Sequence, residues 1–296
     1  MAEFKSGFVA IIGRPNVGKS TLLNSLIRQK VAIISDKPQT TRNRITGVYT
    51  GDRGQIIFLD TPGVHKPQDR LGDIMVSTAL GSLQEVDAVL YVVDVTMEMG
   101  AGERFIQKTL MELKTPVILV LNKIDLIPPE KLLPLMEEYS SRMTFAAVVP
   151  VSAARGDLTG LLDELFALLP EGPRYYPEDM VTDQPERLII AEMVREKILQ
   201  LTREEVPHSI AVVTDMVEER SSDLVYVGAT IYVERKSQKQ ILIGKQGSML
   251  KEVGRMARRD IETMLGSRVY LELWVKVRED WRRRESDLAN FGFTGE

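Results

Sequence analysis

The chain has 296 residues, 44% apolar and 27% charged, more than one ordinary core organises and enough for two domains of about 100–200 residues. With 38 Lys and Arg against 42 Asp and Glu, 2 His and no Cys, it excludes a disulfide framework and thiolate metal ligation. No basic leader opens the sequence and no run approaches the roughly 18–20 apolar residues that cross a bilayer, so any membrane contact is expected to be peripheral.

From residue 8 to about 169, short β-branched runs alternate with longer amphipathic stretches. FVAII precedes a helical pattern from Lys19, QIIFLD one from about Asp69, and AVLYVVD one from Gly102. PVILVLN then precedes a pattern from Pro129, and FAAVVPVS one from Asp157. The alternation predicts an α/β domain, a mostly parallel sheet with helices on both faces, whose strands are continuously apolar because both sides are buried. Gly51-Asp52-Arg53-Gly54 between ITGVYT and QIIFLD is a turn signal and predicts one antiparallel hairpin within that sheet.

Gly13-Arg14-Pro15-Asn16-Val17-Gly18-Lys19-Ser20, followed by Thr21, fits G-x-x-x-x-G-K-[ST] between an apolar strand and a helix. Its glycines let backbone N–H groups converge on a β-phosphate, Lys19 charges the β and γ oxygens, and Ser20 offers a hydroxyl to Mg2+. Such a loop does not choose between ATP and GTP. Asp60-Thr61-Pro62-Gly63 ends QIIFL, placing a carboxylate beside the metal and the Gly63 N–H toward a γ-phosphate. Asn122-Lys123-Ile124-Asp125 ends PVILVL at the carboxyl edge of the sheet, where open α/β folds bind ligands. The Asp125 carboxylate can accept from guanine N1–H and the exocyclic amine, donors that adenine lacks there. Ser152-Ala153 is expected to set a backbone N–H against guanine O6. In this order, each at a strand end, the motifs select GTP and GDP with Mg2+, and disfavour a P-loop kinase.

The polar, proline-broken segment 35–44, SDKPQTTRNR, is expected to be a switch whose threonine completes the magnesium shell only with GTP; Thr41 is favoured over Thr40. A second mobile segment is expected after Gly63. Where Ras-like enzymes carry a water-orienting glutamine this chain has Val64, which predicts slow unaided hydrolysis. Lys19, Thr41, Gly63 and Asn16 are the catalytic candidates, Asn16 as a ligand of a K+ ion doing the work of an arginine finger. His65 reads as an exposed loop residue and His208 as structural.

The expected division is a nucleotide-binding domain over 1–170, a proline-rich linker over 171–186, a second domain over 187–285 and a loose tail over 286–296. In the second domain the pattern reads helix, strand, strand, short helix, Gly244-Lys245-Gln246-Gly247, helix, strand. In VYLELWVKV, Val269, Leu271, Leu273, Val275 and Val277 face one way and Tyr270, Glu272, Trp274 and Lys276 the other, so one face must be core and the other wet. Ile241, Leu242 and Ile243 precede the GxxG loop as an apolar wall, and Lys251, Arg255, Arg258 and Arg259 follow it. Residues 235–284 hold 14 Lys and Arg against 6 Asp and Glu, which suggests an anionic partner at this end. A helix-GxxG-helix admits single-stranded RNA backbone against the glycines, bases lying on the apolar wall, so Ile243, Gly244, Lys245, Gln246, Gly247, Lys251, Arg255 and Arg258 are the RNA-binding candidates. Trp274 and Trp281, with Tyr270, can stack on bases, packing being favoured for Trp274. The segment EDWRRRESD reads equally as an RNA-touching helix or a solvated end.

From GRPNVGKST through QTTR, DTPG, NKID and SA to GKQG, the sequence resembles the Era family, bacterial GTPases with a carboxy-terminal KH domain of the type II order. The resemblance implies a cytoplasmic protein, partly peripheral on the inner membrane, that binds small-subunit ribosomal RNA near its 3′ end and assists assembly of the small ribosomal subunit. A monomer is expected. The family also lacks the glutamine at the Val64 position. A GTP-dependent signalling module at the membrane, with incidental hydrolysis, is the alternative reading.

Overall fold

The computed structural model describes residues 3–294. The first half runs β1 (Lys5–Ile12), α1 (Lys19–Ile27), β2 (Ile45–Gly51), β3 (Gly54–Asp60), α2 (Arg70–Gly81), β4 (Ala88–Asp94), α3 (Ala101–Leu110), β5 (Val117–Asn122), α4 (Leu132–Ser140), β6 (Ala147–Val151) and α5 (Thr159–Leu168). Its strands lie in the order β2-β3-β1-β4-β5-β6, all parallel except the β2–β3 hairpin. Alternate residues of each strand feed two cores. Val9, Ile11, Ile56 and Leu90 face α1 and α5, while Ala10, Ile12, Val89 and Leu119 face the side of α2 and α3.

The order reverses at β1, between β3 and β4, and open α/β sheets bind ligands at the carboxyl edge beside such a reversal. The residues after β1, β3, β5 and β6 therefore converge, and these are the four motifs singled out in the sequence.

The second half runs α6 (Glu186–Leu201), α7 (Val206–Ser209), β7 (Ala211–Ser221), β8 (Leu224–Val233), α8 (Lys236–Ile243), α9 (Ser248–Leu265), β9 (Arg268–Val277) and α10 (Glu285–Asn290). Antiparallel β7–β8 and parallel β8–β9 form a three-stranded sheet. Its buried face, with Val227, Ile231, Val269 and Val275, packs on Val194, Ile198, Val253 and Ala257 of α6 and α9. Tyr270 and Trp274 stand exposed on the other face, as the alternation requires, and Trp274 lies across Gly228.

The expected linker and tail both pack on the first domain, and only the looseness expected of the tail is corrected. The proline-rich segment is pinned to the first sheet. Gln55 Oε1 accepts from Tyr175 N–H at 2.8 Å and Tyr176 N–H at 2.9 Å, Val48 N–H donates to Val181 O at 2.8 Å, and Thr182 Oγ1 to Thr46 O at 2.6 Å. Of the segment 286–296 read as a loose tail, α10 occupies the start and Leu288 and Phe293 are buried with Leu71 and Met75 of α2; residues 295 and 296 lie outside the described residues. An amphipathic turn this short acquires order from tertiary burial, not from its own propensity.

Candidate nucleotide site and RNA face

Residues 13–21 wrap the amino end of α1. Lys19 is buried, its Nζ donating to Gly13 O at 3.2 Å and Arg14 O at 2.8 Å. Burial lowers its pKa to about 8, against the pull of Asp60. Arg14 points away from the loop, its Nη1 bound to both oxygens of Glu103 at 2.9 Å. Beside the loop lies a cavity of about 410 Å³, lined among others by Asn16, Lys19, Ser20, Thr41, Gly63 and Lys123.

Ser20 and Thr41 line this cavity, and Asp60 lies buried against Ser20. Ser20 Oγ donates to Asp60 Oδ2 at 2.7 Å and lies 2.8 Å from Thr41 Oγ1, whereas Thr40 Oγ1 turns back to Lys37 O. Asp60 is fully buried, and burial pushes its carboxyl up to about 6 although Lys19 and Ser20 oppose this. Its Oδ1 has no hydrogen-bond partner. A buried, unpartnered carboxylate oxygen beside two hydroxyls is a hard-oxygen set that fits Mg2+. Among the described residues Gly63 N–H has no partner. A Cβ at Gly63 would stand 2.6 Å from Pro15 N, so only glycine lets this strand end approach the phosphate loop.

The base end is built by Asn122. Its Nδ2 donates to Val17 O at 2.8 Å and its Oδ1 accepts from Ala153 N–H at 3.0 Å, which ties three loops together. Lys123 bridges Asp94 Oδ2 at 2.6 Å and Asn16 O at 2.9 Å. Asp125 follows, partly exposed. Ala153 N–H is engaged by Asn122 Oδ1, and Ala154 N–H has no partner among the described residues. Asn16 Nδ2 donates to Asp36 O at 2.7 Å, so this side chain already joins the phosphate loop to segment 35–44.

Val64 is buried among Ile12, Ala79 and Val89, so the glutamine position points into the core. His65, read as an exposed loop residue, is half-buried and tied by Nδ1 to Gly63 O at 2.8 Å and by Nε2 to Gln39 Nε2 at 3.0 Å.

On the second domain, Gly244–Gly247 links α8 to α9 with positive φ at Gly244, Gln246 and Gly247. Ile241 and Lys245 are exposed and Ile243 half-buried, but Leu242 turns into the core, so the apolar wall consists of Ile241 and Ile243. Lys251, Arg255 and Arg258 line the exposed side of α9; Arg255 pairs with Glu252 at 2.6 Å. Trp281 is not available to bases. It is fully buried, with Nε1 donating to Ser209 O at 2.9 Å.

A family model described as "50S ribosome-binding GTPase" matches residues 8–123, and one described as "KH domain" matches 205–282. A solved structure of a variant of Era from Aquifex aeolicus bound to GDP and aluminium fluoride is 47% identical, with a TM-score of 0.95 over 98% of this chain and 100% of that one. A solved structure of Era in complex with MgGDPNP and nucleotides 1506–1542 of 16S ribosomal RNA is 46% identical, with a TM-score of 0.94 over 98% and 99%.

The chain belongs to the Era family. It is a GTPase, with GTP and GDP as its nucleotides and Mg2+ as its metal.

What sequence reasoning missed in this Era fold is the seam between the halves. Asp69, the N-cap of α2, pairs with Arg282 at 3.1 Å, and Arg282 also holds Glu234 at 2.8 Å. Lys30, just past α1, reaches Glu196 at 2.6 Å and Asp260 at 3.3 Å, while Glu196 Oε1 accepts from Ile34 N–H. The surplus of arginine in EDWRRRESD was the available signal, and Arg282 resolves that segment as an interface at this position.

Proposed function

We propose that this protein is a GTP-switched factor that binds small-subunit ribosomal RNA near its 3′ end and assists assembly of the small ribosomal subunit. One observation carries the reading: a metal-nucleotide floor at Ser20, Thr41 and Asp60 and a GxxG face flanked by Lys251, Arg255 and Arg258 lie in one chain. The Era relative solved with MgGDPNP and a 16S fragment combines the same two ligand classes.

In the nucleotide site, the P-loop amides and Lys19 hold the β and γ phosphates, Asp125 orients the guanine, and Gly63 N–H meets the γ-phosphate. Mg2+, held by Ser20 and Thr41 with Asp60 beside it, supplies charge neutralisation across the β and γ oxygens when bound. Lys19 brings a fixed positive charge to a site shielded from water, where its effect on developing charge is largest. Because Val64 faces the core, no side chain at that position orients the attacking water, and unaided turnover is slow. Asn16 is proposed to hold a K+ ion that supplies the missing electrostatic help.

On the RNA side, the backbone presses against Gly244 and Gly247 while bases lie on Ile241 and Ile243. Its proposed location is the cytoplasm, with part of it peripheral on the inner membrane. No helix among the described residues is long and apolar enough to cross a membrane. Filter binding of mant-GTP and a short 3′-end 16S RNA, separately and together, tests the reading. The expected result is tighter RNA binding with GTP than with GDP; indifference to RNA would overturn it.

A further inference from the structure

Thr41 is bracketed by two contacts to the RNA-binding half. On its amino side, Thr40 O accepts from Arg195 Nη2 of α6. Arg195 is 1% exposed and is oriented by Glu192, which it meets through Nε at 2.8 Å and Nη2 at 2.6 Å. On the carboxyl side, Arg42 is 2% exposed and leaves segment 35–44 altogether. Its guanidinium donates to Ile210 O, to His208 O at 3.3 Å and to Pro207 O at 3.5 Å, and lies 5.8 Å from the centre of the Trp281 ring.

Segment 35–44 has no helix or strand of its own. Its position is therefore set by what it is tied to. A buried guanidinium is costly unless its N–H groups find acceptors; among the described residues Arg42 Nε and Arg195 Nη1 find none, so each guanidinium and its carbonyl partners depend on the bonds that remain, and loosening them would leave further buried groups unpaired. Consecutive Cα atoms are about 3.8 Å apart, so fixing residues 40 and 42 fixes residue 41 closely.

We propose that Arg195 and Arg42 are positioning residues through which the RNA-binding domain holds Thr41 at the metal-nucleotide floor. The domain completes the GTP-binding conformation from outside the nucleotide site. A guanine triphosphate that needs Thr41 favours the docked arrangement, and a ligand that shifts the second domain changes the GTP site by the same factor. The coupling arm of this inference rests on the RNA reading above; the nucleotide arm does not.

The experiment measures Mg2+-dependent affinity for mant-GTP and mant-GDP in the full chain and in Arg195→Met, Arg42→Met and Arg42→Lys. The methionine variants are expected to bind GTP about tenfold more weakly and GDP unchanged, because only the triphosphate state engages Thr41. Arg42→Lys, which keeps a donor for the α7 carbonyls, is expected to recover part of the loss. Equal losses for both nucleotides, or none, would overturn the proposal.

Hydrogen exchange in the unmodified chain answers the case in which the variants misfold. Residues 35–44 and 206–210 should gain protection together on exchanging GDP for GTP, and protection confined to 35–44 would overturn it. If wild-type RNA affinity differs between GTP and GDP, that difference should vanish in Arg195→Met, and its survival would count against the clamp. If RNA is not bound at all, the functional reading fails, while the two nucleotide experiments still judge the clamp.

Discussion

Asn122 joins the phosphate end of the nucleotide site to its base end: Nδ2 donates to Val17 O at 2.8 Å and Oδ1 accepts from Ala153 N–H at 3.0 Å. Both bonds are buried. Asn122→Ala leaves a carbonyl and an amide unpaired, each costing about 1–3 kcal/mol. The variant should melt earlier and bind GTP and GDP more weakly by the same factor, since neither contact senses the γ-phosphate. Thermal melts with paired nucleotide titrations check this; a loss confined to GTP would contradict it.

Val64 occupies the position of a water-orienting glutamine, yet its side chain packs against Ile12 and Val89. Val64→Gln should not create a faster enzyme. The added amide enters an apolar core without a partner, at a cost of about 1–3 kcal/mol in protein mutational terms. The expected result is a lower melting temperature and an unchanged or reduced single-turnover rate. A Ras-like acceleration would show that the loop repacks and brings the side chain into the site.

Asp125 is partly exposed, three residues after Asn122. Two charge-assisted bonds to guanine, each of about 1.5–3 kcal/mol, predict a loss of roughly 10²–10⁴ in GTP affinity for Asp125→Asn. Xanthosine triphosphate, which presents an acceptor where guanine has its amine, should bind the variant better than the wild type. Competition against mant-GDP measures both, and an unaltered preference would remove the guanine assignment.

Local spacing made the nucleotide floor legible. Lys19 and Ser20 sit at fixed offsets from Gly13, and Asp60 and Asn122 each close an apolar run, so both the strand ends and their polar residues could be read together. Contacts decided across the chain were not legible. Arg42 reads as one more polar residue in a proline-broken loop, and only the approach of the α7 carbonyls, more than 160 positions away, buries it. Trp281 in a basic run resembles a stacking residue until Ser209 takes its N–H. Leu242 reads with its two neighbours as one apolar wall because three adjacent apolar residues carry no direction by themselves, and on a helix one of them must face the core.

Asn16 is committed through Nδ2 to Asp36 O, which leaves Oδ1 as the atom for a monovalent cation. A preorganised positive charge near the transferring phosphate is worth at least about tenfold in rate. GTP hydrolysis should therefore be at least that much faster in KCl than in NaCl at equal ionic strength, and Asn16→Ala should erase the difference. Equal wild-type rates in the two salts would refute the K+ assignment without touching the Mg2+ site.

The GxxG loop offers two glycines that are not equivalent probes. A Cβ at Gly244 would meet Met249 Cβ at 2.7 Å and its backbone N at 2.8 Å, so substitution there distorts the start of α9 as well as the RNA face. At Gly247 nothing lies within 4 Å, and the only local cost is a side chain at φ 79°. Left-handed backbone costs most residues about 1–2 kcal/mol and asparagine or aspartate less. Gly247→Asp should therefore fold, keep its GTP and GDP affinities, and lose at least about tenfold in affinity for a single-stranded 16S 3′ end through repulsion of the phosphates. Gly247→Asn is the matched neutral control, with the same backbone demand and no charge. If both variants bind RNA as the wild type does, the strand does not run over this loop. If they lose affinity equally, the glycine is needed for close approach and charge is secondary.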